Sequence, residues 1–452
     1  MPYGVSSNVI IGYDNPSMAG MMNMNKSLLE KFRKAYQDLE LFPLITARQV
    51  EAFRVDFANE TIARLEQAVE DAPPNGKIMF AGHRGCGKSS LLAKFAKKMN
   101  QQGYFVAFFS VSDLIEMSDV NHINILYAIT LTLLTQATKA EIEISKDIEK
   151  SLLEWFTTTQ TETVTKDLKS EIGVGGDFLK IITAKLKNEA TFREEIKKTY
   201  ERKVSELARK ADEIASIIQA ATGKQVLIVI DDLDKLDLGL VEDIYKNNIN
   251  SLFLPKFQII YTIPISAIRN SELLPILQSV VSRIQLMAVC KFFNPGDSRK
   301  PDGVPKEQLL NLFLQILQKR IPDELIEPET ARQIVLNSGG VVRELVRIAR
   351  ECCSQCLLLI RSEPERLDIK INQEVLQLAI KDLRNEFARP LGENLINILV
   401  TTYENFTPKD AKSDDFLSLL HGLYVLEYEN DDLWYDVHPI VVEILKRKQL
   451  IK

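Results

Sequence analysis

Apolar residues fall into two rhythms along the chain. Short unbroken runs, "GKIMF" (76–80), "YFVAFFSV" (104–111), "VLIVIDDLDKL" (226–236) and "FQIIYTIPI" (257–265), read as strands buried on both faces of a parallel sheet. Between them stand stretches at helical spacing. "SLLAKFAKKM" places Leu91, Leu92, Phe95 and Met99 on one face, and "NHINILYAITLTLLTQA" predicts a long apolar helix on the sheet. "LLPILQSVVSRIQLMAV" predicts a helix ending at Ser282-Arg283 before a fifth strand. Alternation of this kind predicts an α/β fold.

The flanks follow other patterns. Residues 1–45 read as an irregular lead with a methionine cluster (Met18, Met21, Met22, Met24), then a helix, "KSLLEKFRKAYQDLEL". The α/β core spans 46–292, interrupted at 140–220 by a helical insertion. The insertion opens on a threonine-rich tract (157–167) and the glycine-rich "GVGGD", then becomes one charged helix from about Leu179. Tyr200, Val204, Leu207, Ala211, Ile214 and Ile218 form a heptad-like seam there. The charges over 185–210 read as a solvated face or, failing that, a partner or nucleic-acid contact. "NPGDSRKPDGVP" reads as a linker or exposed turn. Residues 303–385 are helical throughout, a lid-like unit. In 386–452 two helices, a hairpin of "YVLEY" and "LWYDV", and a helix opening on Pro439 follow the order of a winged helix.

Chemistry concentrates at the ends of two strands. Gly82-His83-Arg84-Gly85-Cys86-Gly87-Lys88-Ser89, followed by Ser90, fits the phosphate-binding loop pattern between a strand and a helix. The glycines let backbone N–H groups converge on an anion. Lys88 is placed to reach the β- and γ-phosphates, and the Ser89 hydroxyl to ligate Mg²⁺. Asp231 and Asp232 end an apolar strand, where ligands of open α/β sheets bind. Asp231 is the expected metal ligand and Asp232 the expected general base, with an N-cap or turn role as its alternative. Asp234 and Asp237 read as turn or capping residues. The ligand implied is a nucleoside triphosphate with Mg²⁺. Thr262 is either a polar group near the γ-phosphate or a threonine simply suited to a strand.

Composition narrows the class. The 452 residues are 45% hydrophobic and 26% charged, with a net charge of −6. That balance gives no global footprint for nucleic acid or an acidic membrane. Five cysteines without framework spacing suggest a reducing cytoplasm. Cys352, Cys353 and Cys356 lie in a helical stretch with no histidine nearby and read as buried packing rather than metal ligands. No signal peptide and no membrane span are expected.

With the loop, "LIVIDDLDK", Arg283 and Gly339-Gly340-x-x-Arg343 in view, the chain resembles AAA+-type ATPases. The similar groups are bacterial STAND-like signalling ATPases and initiator or loader ATPases of the origin-recognition type. The resemblance implies a P-loop NTPase sheet with a helical insertion, an all-helical lid and a C-terminal winged-helix domain. It implies slow, Mg²⁺-dependent ATP hydrolysis, with Arg343 on the γ-phosphate of its own subunit and Arg283 as a finger into a neighbour's site. Surface or interdomain ion pairs are the alternatives for both arginines. His438 corresponds to a histidine that touches the diphosphate state in STAND proteins, or else caps a helix. A homo-oligomer in the ATP state and a setting in bacterial antiviral defence follow from the likeness, whereas no repeat array or effector domain of typical STAND receptors is recognisable, so an effector is expected to be a separate protein. A DNA-associated initiator or loader is the alternative. The acidic wing, Glu427, Glu429, Asp431, Asp432 and Asp436, weighs against it because phosphate contacts need basic residues.

Overall fold

A computed structural model of the chain describes residues 16–142, 177–300, 302–429 and 432–452. The irregular lead, the threonine-rich tract, most of the glycine-rich stretch and Asp431 lie outside the described residues.

Five parallel strands form the central sheet: β1 (Lys77–Gly82), β2 (Tyr104–Ser110), β3 (Gln225–Asp231), β4 (Gln258–Pro264) and β5 (Arg283–Met287), in the order β2-β3-β4-β1-β5. Side chains alternate across the pleat, so each strand feeds two cores. Ile78, Phe80, Leu227, Val229 and Ile260 pack with the helices Asn59–Asp71 and Lys88–Gln101. Met79, Ala81, Ile228, Ile230 and Tyr261 join the larger cluster on the opposite face. There the helix His122–Lys139 is buried over most of its circumference, as its nearly continuous apolar run requires.

Among the described residues of the insertion, the expected single charged helix is three: Asp177–Asn188, Ala190–Tyr200 and Val204–Thr222. The seam residues Leu207, Ala211, Ile214 and Ile218 are buried, and Val204–Thr222 packs along His122–Lys139. The seam therefore closes within the chain. The helix before β5 stops at Val280, short of the expected end, and Arg283 is the first residue of the strand.

The helices Glu307–Gln318, Pro328–Asn337, Val342–Ser362 and Gln373–Ala388 form the lid. The three clustered cysteines are buried along one apolar face of Val342–Ser362, where Cys352 and Cys353 are fully enclosed. The helix Pro16–Asp38 packs on the same lid helix, with Phe32 and Ala35 of the helix, and Leu39 just after it, buried. Helices Glu393–Asn405 and Asp414–His421 precede an antiparallel hairpin, β6 (Val425–Glu429) and β7 (Leu433–Val437), and the helix Pro439–Arg447 closes the chain. That arrangement is compatible with a winged helix. Residues 294–305 do not form a free linker. Arg299 stacks on Tyr403 and Phe406, at 3.8 and 4.0 Å, and pairs with Asp436 at 2.5 Å. Among the described residues no helix is long and apolar enough to cross a membrane.

Candidate nucleotide site

The loop between β1 and the helix Lys88–Gln101 sits at the C-terminal edge of the sheet, beside the end of β3. Gly85 and Gly87 adopt φ of +79° and +105°, a region costly for side-chain-bearing residues. A Cβ on Gly85 would lie 2.4 Å from the Cβ of Arg343. Lid and loop thus meet through a glycine, and the Arg343 backbone N–H donates to the Gly85 carbonyl at 2.9 Å.

Lys88 is buried. Its Nζ donates to the carbonyls of Gly82 (2.9 Å) and His83 (2.7 Å) and pairs with Asp234 at 2.8 Å. Burial alone would lower its pKa, but Asp234, together with Cys86 and Asp231, outweighs burial and the net direction is upward. Asp234 does stand in a turn, Leu233–Lys235, as expected, but its side chain does more than shape that turn. It is the carboxylate facing the loop lysine, whereas Asp237 does cap, accepting from Leu240 N at 2.9 Å. The sequence carried one signal for Asp234: it lies two positions beyond Asp232 in a tight turn, close enough to share its site.

Asp231, Asp232 and Asp234 are all buried and bring carboxylate oxygens within 4.8 Å of one another. The Ser89 side chain hydrogen-bonds Asp231, joining the two residues expected to hold a metal. Burial, then the neighbouring Asp232 and Asp234, push the Asp231 carboxyl up to about 7, and its Oδ1 is buried with no partner. An orphaned carboxylate oxygen among three crowded acids fits a divalent cation, whose charge would relieve both defects.

Asp232 stands differently. It occupies the left-handed region (φ 70°), and its Oδ2 accepts from the hydroxyls of Ser110 and Ser112, each at 2.7 Å. Its Oδ1 forms an ion pair with Lys235. These partners outweigh burial and hold its carboxyl below the usual range. Thr262 is equally committed. Its hydroxyl donates to Ile230 O (3.2 Å) and accepts from Leu233 N (3.0 Å), tying β4 to the acid turn.

The remaining expected residues divide. Arg84 is half-buried near Arg343, and burial together with that second guanidinium lowers its pKa. Burial pushes the Cys86 thiol up. The Ser90 hydroxyl accepts from Leu44 N at 2.9 Å, fastening the segment before the core to the loop helix. Arg283 is exposed at the start of β5, paired in register with Ile78, and its ion pair with Asp71 is long at 3.9 Å. It lies at the edge of the sheet opposite the loop and does not join this chain's own site.

His83 is fully buried and accepts at Nε2 from the backbone N–H of Glu427 in β6, at 2.8 Å. Burial, then the charges of Lys88 and Arg269, push its pKa down to about 3. The Glu427 side chain is buried in a two-point pair with Arg269, at 2.7 and 2.6 Å. Asp436 is likewise paired with Arg299. Two of the five acids counted on the wing are thus spent inside the protein, and the repulsion argument against DNA is correspondingly weaker.

His438 acts as the helix cap. Its Nδ1 accepts from Ile440 N at 3.2 Å, and its ring stacks on Phe387 at 5.2 Å. Burial pushes its pKa from 6.5 down to about 3. The native ring is neutral, whereas the unfolded chain takes up a proton below about 6.5. Its contribution is therefore complete above that pH and lost as pH falls toward 3, by about 1.4 kcal/mol per pH unit. In melting curves between about pH 7 and 4.5, His438→Asn, which keeps a cap acceptor, should lose stability less steeply than the wild type. Equal slopes would contradict the assignment.

A pocket beside the loop is lined by Phe53, Phe57, Ile316, Arg320, Val342 and Val346, together with Lys88, Ser89 and Asp234. Arg320 lies over the Phe53 ring at 4.9 Å. Sequence patterning did not single out these apolar residues, because they come from two separate units of the chain.

Residues 59–242 match the AAA ATPase domain family. No curated protein matches the chain. Among solved structures, the Orc1 protein of Aeropyrum pernix in complex with DNA is similar at 11% identity and a TM-score of 0.40, over 90% of this chain and 97% of that one. A variant of Thermotoga maritima RuvB is similar at 14% identity and 0.35, over 86% and 95%. Cdc6p from Pyrobaculum aerophilum is similar at 12% identity and 0.38, over 87% and 95%. The glycine loop, its lysine and the three acids at the end of β3 all lie within residues 59–242, the stretch that is similar to the AAA ATPase domain family.

Proposed function

We propose that the chain is a nucleotide switch. It binds ATP beside Lys88, hydrolyses it slowly, and uses the nucleotide state to set the positions of the lid and the C-terminal hairpin. The observation that carries this reading is that both units grip the phosphate loop itself: the lid through Arg343 N on Gly85 O, the hairpin through Glu427 N on His83 Nε2. A loop that rearranges around a triphosphate must alter both contacts, so the ligand has different affinities for the docked and released states.

In this reading the loop amides and Lys88 hold the phosphates, and Phe53, Phe57, Ile316 and Val346 enclose the base. Ser89 and Asp231 would hold the divalent cation, taken as Mg²⁺, which would neutralise charge on the phosphates. Arg84 and Arg343 supply positive charge on the lid side. We assign the proton acceptor for the attacking water to Asp234 rather than Asp232. A carboxylate with three donors is a poor base, whereas Asp234 is freed once Lys88 turns to the phosphates. Arg283, exposed and weakly paired, is available to a neighbouring copy in an oligomer, and an effector would be a separate protein.

The test is hydrogen exchange with and without a non-hydrolysable ATP analogue. The amides of 425–429 should lose protection when the analogue binds and regain it with ADP. Nucleotide binding without any change in the hairpin would overturn the switch. No binding by calorimetry would overturn the site.

A further inference from the structure

The insertion between β2 and β3 reaches the acid turn through a short chain of hydrogen bonds. Register sets Ser110, the last residue of β2, beside Asp231, the last of β3. The chain then turns back through the helix Val111–Leu114, with Ser110 Oγ accepting from Ser112 N at 3.1 Å. Both hydroxyls converge on Asp232 Oδ2. On the far side of that turn Lys187, at the end of the helix Asp177–Asn188, donates from Nζ to Ser112 O at 2.7 Å and to Ile115 O at 3.3 Å.

Lys187 is itself fixed. The buried Arg193, from the next helix, donates through Nη1 to Leu186 O (2.9 Å) and Lys187 O (2.8 Å). Its Nε and Nη2 grip Asp119 at 2.9 and 2.6 Å. Arg193 thus clamps the end of one insertion helix to the segment that follows β2.

We propose that Lys187, Ser110 and Ser112 are positioning residues for the nucleotide reaction. They hold Asp232 in its left-handed conformation, and through it aim Asp231 and Asp234 at the loop. The insertion then sets the rate of turnover without touching the nucleotide. This deepens the hydrolysis reading above and rests on it. The physical reason is that a left-handed non-glycine residue stays populated only while its surroundings over-determine it. Here two hydroxyls and Lys235 do so, and the hydroxyls are aimed by a turn that Lys187 pins from behind. A shift of about 1 Å in a positioned group can cost on the order of a hundredfold in rate. Loss of one pin in a network with several should cost about tenfold.

The full chain serves for the test, with Lys187→Met, Ser112→Ala and Ser112→Thr compared by steady-state ATP hydrolysis and by hydrogen exchange across 226–240. Lys187→Met and Ser112→Ala should lower kcat about tenfold with KM nearly unchanged, because the acid turn is loosened while the base and phosphate contacts stay. Both should speed exchange at the turn, leaving β1 and the lid protected. Ser112→Thr keeps the hydroxyl and should restore both readouts to within about twofold of wild type. Unchanged kcat in both Lys187→Met and Ser112→Ala would overturn the proposal while leaving the hydrolysis reading intact, as would equal losses in Ser112→Ala and Ser112→Thr. A wild type without turnover would instead remove the hydrolysis reading. Exchange at the turn would then decide the linkage alone, and unchanged exchange in Lys187→Met would overturn it.

Discussion

Replacing Lys88 with methionine is expected to stop ATP turnover and also to destabilise the unliganded protein. The first effect follows from losing a buried cation that hydrogen-bonds the loop carbonyls of Gly82 and His83. Removing a preorganised charge of this kind costs about 10²–10³-fold in rate. The second follows from the partner left behind. Asp234 lies buried within 4.8 Å of two further carboxylates, and Lys88 is its ion-pair partner. Breaking a buried pair from one side costs about 3–5 kcal/mol, because a charge remains without compensation. Thermal melting should show a large drop for Lys88→Met and substantial recovery in the double variant Lys88→Met with Asp234→Asn. Turnover should stay lost in both. A single variant as stable as wild type would mean that the Lys88–Asp234 pair contributes nothing in the unliganded state.

Asp234→Asn alone should separate binding from chemistry. In the unliganded protein Asp234 competes with the phosphates for Lys88, at 2.8 Å. Asparagine removes that competitor and one negative charge from the pocket, so nucleotide should bind as tightly as before or tighter. Losing the proton acceptor should lower kcat by about 10²–10⁴-fold. Asp232→Asn should be much milder, because its amide oxygen can still accept from Ser110 and Ser112. Calorimetry for affinity and phosphate release for rate check the pair. An inactive Asp232→Asn beside an active Asp234→Asn would return the base to Asp232. The reading from sequence chose Asp232 because adjacent acids at a strand end are easy to see. Which carboxylate is free and which is tied by hydroxyls depends on Ser110 and Ser112, more than a hundred residues away in the chain.

Local pattern decided much of this protein. Unbroken apolar runs marked the strands because parallel strands are covered on both faces; they did so within a residue or two for β1, β2 and β4, whereas the run at β3 carried on past Asp231 into the acid turn. Glycine spacing and the following lysine marked the loop, since few other sequences let a backbone close on phosphate. The three clustered cysteines read as packing and are buried. Only the tertiary structure decided the partners. Asp234 faces Lys88 because the turn after β3 adopts a left-handed residue. His83 is sealed because a strand some 344 positions away donates to it. Glu427 and Asp436 looked like a charged wing but are consumed by Arg269 and Arg299. The heptad-like seam, which sequence could not assign to a partner, closes on the chain's own helix. Periodicity records which face of an element is apolar. It does not record what covers that face, because burial and charge pairing depend on distance in space, and sequence separation does not limit that distance.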